Sequence, residues 1–143
     1  MNELAAPRLH IAPMSATTIE RVRELELLVA TLAQLSIPTD HAFHAGVYAR
    51  TVMVPAGAVI TGVLIKIPTL LIVNGDAVLH TEFGPVEVHG YNVIPAAAGR
   101  KQALVAITDT HLTMIFATAA RDIDTAERQF TDETDMLMSR KEA

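Results

Sequence analysis

The sequence has 143 residues, of which 50% are hydrophobic and 4% aromatic, and its formal net charge is −5. A chain of this length can bury one hydrophobic core and is too short for two. The negative charge and the few aromatic rings argue against general nucleic-acid binding. The lack of cysteine excludes disulfides and a cysteine nucleophile. The lack of cysteine is compatible with a reducing setting, and the expected location is the cytoplasm. No apolar run is long enough for a membrane span.

The first part of the chain predicts an arm followed by a helix. Residues 1–14 contain two prolines and no periodicity, which indicates a flexible arm. Apolar residues then recur at helical spacing and predict a helix over residues 15–35. Thr17 and Glu20 form a capping box at its start, and Pro38 excludes a helix beyond its end.

Short β-branched runs separated by turn residues fill residues 43–118 and predict an antiparallel barrel within a single domain. The Asn74-Gly75 pair is typical of a hairpin turn, so we expect the strands on either side of it to pair. A second hairpin is expected around residues 108–110. The first clear strand, over residues 47–54, is expected at an edge of the barrel.

The end of the chain changes composition. Over residues 121–140 acidic residues are frequent and apolar residues sparse. We expect a largely solvent-exposed C-terminal helical segment that starts near Asp122 or Asp124. The predicted fold class is therefore mainly β, with one barrel between an N-terminal amphipathic helix and a C-terminal helix.

The turn residues of the barrel resemble the two sequence motifs of the cupin family. Gly57 and Gly75 fit the outer glycines of the first motif, and Gly90 and Pro95 resemble the start of the second. The resemblance covers about half of the chain and implies a jelly-roll barrel, the double-stranded β-helix. Cupins usually hold a metal ion inside this barrel with three histidines and a glutamate.

Those metal ligands do not carry over to this sequence. Counted forward from Gly57, the first two histidine positions fall on Val63 and Ile65, and the third falls on Arg100 or Gln102. A transition metal needs several nitrogen, oxygen or sulfur donors that converge on one point. We therefore expect no metal and no cofactor, with His41 and His44 as the fallback ligands if the metal site has moved.

Cations near the expected mouth of the barrel predict a site for a small anion. Counted back from Gly75, the first motif would place Lys66 on the inner face, although a lysine on the outer face is the simpler interpretation. Arg100 and Lys101 follow a glycine corner, where two cations would suit a phosphate or carboxylate. The candidate ligand-binding residues are Arg50, Lys66, Tyr91, Arg100, Lys101 and Gln102.

Three functions stay open at this level. The first is a non-catalytic, metal-free barrel that binds a small anionic molecule or serves as an oligomeric module. The second is a metal-independent isomerase or lyase that uses Lys66, Tyr91 or a histidine as its acid–base group. The third is a phage structural or host-interaction scaffold, because residues 46–50 and 98–102 resemble small cupin-like proteins of phages and prophages. A homodimer or larger homo-oligomer is expected, through residues 47–54 or the leucines of residues 25–32.

Overall fold

Two antiparallel sheets face each other across the core. One helix precedes their strands in the sequence, and another helix follows them. The computed structural model describes residues 9–137 and contains nine strands in that part of the chain. One sheet has the strand order β1-β2-β9-β4-β7 and the other β3-β8-β5-β6. The bounds are β1 Thr39–His44, β2 Val47–Val54, β3 Val59–Ile65, β4 Thr69–Asn74, β5 Ala77–Thr81, β6 Gly84–Val88, β7 Tyr91–Ala96, β8 Arg100–Ala106 and β9 Thr110–Ala117. This jelly roll confirms the predicted fold class.

The two predicted hairpins are corners between the sheets. β4 and β5 lie in different sheets, as do β8 and β9, so the expected strand pairings are wrong. Gly75 has a φ of 144°, and a Cβ on it would lie 2.5 Å from Thr110 Oγ1. The Asp76 N–H donates to Thr108 Oγ1, and its carbonyl accepts from the N–H of Ile107. These hydrogen bonds join the two corners, and the close approach of Thr110 requires glycine at residue 75.

The hairpin between β1 and β2 was not expected from the sequence. Ala45 and Gly46 both have positive φ, at 53° and 71°, as in the tight turns that join antiparallel strands. β2 pairs with β1 on one side and with β9 on the other. The expectation of an edge strand over residues 47–54 is therefore wrong, because β1 occupies that edge.

The N-terminal helix is shorter than predicted. α1 spans Ala16–Val29, and the Ser15 side chain accepts from the Thr18 N–H as its N-cap, in place of the expected capping box. Only Val22 of α1 is buried. The helix and the segment after it leave several leucines exposed, namely Leu27, Leu28, Leu32 and Leu35.

The described part of the N-terminal arm is docked on the barrel. The Ile11 N–H donates to Pro95 O, its carbonyl accepts from the Ala97 N–H, and the Met14 N–H donates to Gly99 O. Ile11 is also fully buried. Residues 9–14 thus differ from the flexible arm that was expected, while residues 1–8 lie outside the described residues.

The chain returns to the barrel at its C-terminal end. α2 spans Ile123–Phe130 and begins after the N-cap Asp122, as predicted. A short 3₁₀ helix follows at Thr134–Met136, and the prediction for residues 138–140 lies outside the described residues. Within residues 9–137 no helix is long and apolar enough to cross a membrane.

Two buried clusters make up the core. The larger one lies between the sheets, and the second joins β2, β3 and β9 to the C-terminal segment. The second cluster is important for the site because it forms part of its wall. Its buried members are Tyr48, Val63, Ile65, Met114, Phe116, Ala126, Phe130 and Leu137.

Candidate functional site

A cavity of about 150 Å³ lies inside the barrel, between the two sheets and the C-terminal segment. Strands from both sheets supply most of its wall, and the C-terminal segment supplies Phe130, Met136 and Leu137. Most of the lining is aliphatic. The polar residues that reach the cavity are Glu26, Thr39, Arg50, Thr61, Arg100 and Gln102.

Arg100, the first residue of β8, is 1% exposed. Its Nη1 donates to Ala97 O at 2.8 Å, and its Nη2 donates to Thr69 Oγ1 at 2.6 Å. Its Nε has no hydrogen-bond partner within residues 9–137. No carboxylate in that range forms an ion pair with it. Burial lowers the pKa of Arg100 to about 10, and the group still carries its positive charge at neutral pH.

Two further polar groups on the same cavity are also buried without a partner. They are Gln102 Nε2 and Thr39 Oγ1, and together with Arg100 Nε they are the only such side-chain atoms in the described chain. Gln102 follows Arg100 by two residues on β8, so both side chains lie on the same face of the sheet. Because buried polar groups are normally hydrogen-bonded, three exceptions on one cavity make it the candidate site of this protein.

The other arginine of the cavity, Arg50, forms an ion pair. Arg50 Nη1 donates to Glu127 Oε2 at 2.8 Å and to Tyr48 Oη at 3.4 Å. Its guanidinium also lies 5.4 Å from the centre of the Phe130 ring, a cation–π distance. Arg50 therefore lines the cavity as part of an ion pair that joins β2 to α2.

Lys101 points away from the cavity and toward α1. Its side chain is 1% exposed, and its Nζ donates to Glu26 Oε2 at 3.1 Å and to Gly62 O at 2.8 Å. This follows from strand alternation, since its neighbours Arg100 and Gln102 face inward. Glu26 also accepts from Thr61 Oγ1, so its carboxylate is held at the cavity wall.

Lys66 and Tyr91 lie outside the cavity. The Lys66 side chain is 41% exposed, and its Nζ lies 2.6 Å from Asp132 Oδ1. Val63 and Ile65 line the cavity, so the motif counted forward from Gly57 has the right register. The backward count that placed Lys66 inside is wrong. Tyr91, on the edge strand β7, is 66% exposed.

The two fallback histidines are not placed to share a metal ion. His41 and His44 are three residues apart on β1, so their side chains point to opposite faces. His41 Nδ1 shares a hydrogen bond of 2.6 Å with the buried Tyr48 Oη. Burial and the nearby Arg50 charge lower the pKa of His41, whereas burial raises the pKa of Tyr48.

The donor set of the cavity does not fit the metal ion that cupin barrels usually hold. Among the described residues no group of three or more His, Asp or Glu side chains could hold a metal ion. The cavity brings together two arginines, and its carboxylate, Glu26, is paired with Lys101. The charge of Arg100, which no carboxylate of residues 9–137 compensates, would also repel a metal ion.

Sequence reasoning missed Thr39 and Glu127. Thr39 precedes residues 43–118, over which the sequence predicts the barrel, and nothing in its neighbourhood marks it as inward-facing. Glu127 had a usable signal, because it stands between Ala126 and Phe130, the two apolar residues that α2 buries at helical spacing. An acid on an apolar face indicates a buried cation opposite it.

The jelly roll and its interior cavity define the protein as one with a cupin-type fold. Solved structures of similar fold include the plu4264 protein of Photorhabdus luminescens, with a TM-score of 0.50 at 11% identity, which covers 62% of this chain and 80% of that one. A cupin superfamily protein of Desulfitobacterium hafniense has a TM-score of 0.47 at 14% identity over 64% of this chain and 87% of its own. At these identities the likeness concerns the fold alone. No family model matches the sequence, and no curated protein matches it significantly.

Proposed function

We propose that this protein is a non-catalytic, metal-independent cupin-type module that binds a small anionic molecule inside its barrel. The carrying observation is the buried Arg100, whose charge has no carboxylate partner in residues 9–137 and whose Nε is unpartnered. A buried charge is costly unless it is paired, so an anion that reaches it would be bound strongly. Gln102 Nε2 and Thr39 Oγ1 add two further hydrogen-bond donors on the same cavity.

A binding role is favoured over the acid–base chemistry considered above. Lys66 and Tyr91 lie outside the cavity, and the hydrogen bond of His41 goes to Tyr48. General acid–base catalysis needs a titratable group within hydrogen-bond reach of the substrate. The protein would then serve as a binding or oligomeric module, in the phage-related setting that the sequence resemblance suggests.

Calorimetric titration of the purified protein with small anions at fixed ionic strength tests the proposal. Binding to the wild type and its loss in Arg100→Met are the expected results. Lys66→Met is the matched control, because it removes a cation of similar size from the surface. Through linkage, the bound anion should raise the free energy of unfolding by about 2.7 kcal/mol at a hundredfold excess over Kd. If no anion distinguishes Arg100→Met from the wild type, the proposed function is overturned.

A further inference from the structure

The charges around the cavity determine how much negative charge an occupant can carry. Arg50 is paired with Glu127, and Lys101 is paired with Glu26. Within residues 9–137 this leaves Arg100 as the cavity cation without a carboxylate partner. A single negative charge on the occupant would neutralise it. A dianion would leave an excess charge in a medium of low polarity, which is unfavourable.

The wall of the cavity determines the rest of the occupant. Most of the lining is apolar and includes Ile60, Leu71, Leu112, Met114 and Phe130. The volume of about 150 Å³ is about that of an engineered apolar cavity that binds benzene. Pockets for drug-sized ligands measure about 300–1,000 Å³, so both the size and the wall favour a smaller, less polar occupant than a nucleotide.

The geometry points to a monocarboxylate with a compact apolar body, such as a six-carbon ring or a branched alkyl group, as the occupant of this cavity. This inference rests on the proposed anion site and adds the chemical class of its ligand. The carboxylate accepts hydrogen bonds from Arg100 Nε and Gln102 Nε2. The apolar body fills the space between β2, β3, β4 and β9.

Four probes separate the charge of the ligand from its body. Benzoate carries both features, acetate has the charge without the ring, benzamide has the ring without the charge, and inorganic phosphate carries more than one charge at pH 8. Calorimetric titrations should show benzoate binding most tightly. In Arg100→Met the affinity for benzoate should fall about 10- to 100-fold, the range that a charge-assisted hydrogen bond supplies.

Three further variants test the apolar body of the ligand and its hydrogen bonds, and they do not depend on the folding of Arg100→Met. Val52→Phe places a ring in the cavity wall, so it should weaken benzoate more than acetate. Gln102→Leu and Thr39→Val each remove one hydrogen-bonding group and should weaken benzoate about 3- to 10-fold. They keep the test valid if Arg100→Met does not fold, as judged by circular dichroism. Lys66→Met should bind benzoate like the wild type.

The outcomes separate this inference from the proposed function. If acetate binds as tightly as benzoate and depends on Arg100, the anion site stands and the apolar body is overturned. If phosphate does so, the anion site stands and the monocarboxylate class is overturned. If benzamide binds as tightly as benzoate, the cavity recognises the ring alone, and both ideas are overturned. If none of the four probes binds, the proposed function fails and the inference fails with it.

Discussion

Arg50 on β2 and Glu127 on α2 form an ion pair of 2.8 Å whose side chains are 11% and 0% exposed. The pair joins the middle of one sheet to the C-terminal helix. Because both charges are removed from water, each depends on the other for compensation. The ring of Phe130 covers the guanidinium, so the attachment of α2 combines the ion pair with apolar packing.

We expect Glu127→Gln to lower the free energy of unfolding by about 3–5 kcal/mol, because it leaves the Arg50 charge buried without its counter-ion. Urea denaturation measures this change. The matched control is Asp124→Asn on the same helix, which removes the exposed partner of Arg128 and should cost at most about 0.5 kcal/mol. Equal effects of the two variants would contradict the role of the buried pair.

The double variant Arg50→Met with Glu127→Leu should recover much of that loss. Both charges are then absent, and similar apolar volumes take their place. A double-mutant cycle built from the single and double variants measures the coupling directly. Additive single effects would mean that the two residues act independently.

Stability should fall below about pH 6.5, the unfolded-state value of histidine, in part because of His41. Its folded-state pKa is lowered by burial and by Arg50. Between the folded and unfolded pKa values the unfolded chain therefore binds more protons, and stability is lost as the pH falls through this window. His41→Gln should flatten that part of the curve, whereas His44→Gln, on the exposed side of β1, should leave it unchanged. Identical pH profiles for His41→Gln and the wild type would contradict this assignment.

We expect the purified, untagged protein to contain well under one transition metal ion per chain. By the motif resemblance, Val63 and Ile65 fall where a cupin would have its first two histidines, and Arg100 or Gln102 falls at the third. Neither aliphatic side chains nor a guanidinium coordinates such an ion. Elemental analysis measures the content. One equivalent of iron, zinc, nickel or manganese that resists a chelator at neutral pH would contradict the prediction.

The protein is expected to form a homodimer or a larger homo-oligomer through the exposed leucines at the end of α1 and in the segment that follows it. Leu27, Leu28, Leu32 and Leu35 are 72%, 62%, 60% and 53% exposed, and a cluster of this kind favours association. Light scattering should give a multiple of the 15.4 kDa chain mass at tens of micromolar. Leu28→Glu with Leu32→Glu should give the monomer mass, while Phe83→Glu, at an exposed aromatic on another surface, should not. A wild-type monomer would refute the expectation.

The turn residues predicted correctly where the chain bends. The strands that were expected to pair across two of these bends lie in different sheets. Gly75 was recognised as a turn, but its close approach to Thr110 depends on the pairing of β4 with the distant strand β9. Sequence periodicity does not report contacts between distant corners. The hairpin at Ala45-Gly46 was missed for a related reason, because alanine rarely adopts a positive φ and gives no turn signal.

Half of the candidate site was predictable. Arg100 and Gln102 were found because they follow a glycine corner and coincide with a motif position. Lys66 was placed inside by one of two possible registers, and the irregular pairing of β3 after Thr61 explains why counting alone could not choose between them. Thr39 lies on β1 and meets the cavity only through the packing of the two sheets, which no local pattern encodes.

The carboxylates that neutralise the strand cations lie on the helices. Glu26 of α1 compensates Lys101, and Glu127 of α2 compensates Arg50. A chain trimmed to its strands would lack Glu26 and Glu127. It would confine Lys101 and Arg50 beside the unpaired Arg100, and the mutual repulsion of these cations would oppose its collapse. We therefore expect that the barrel does not fold without the two helices, and that helices and strands melt in one cooperative transition.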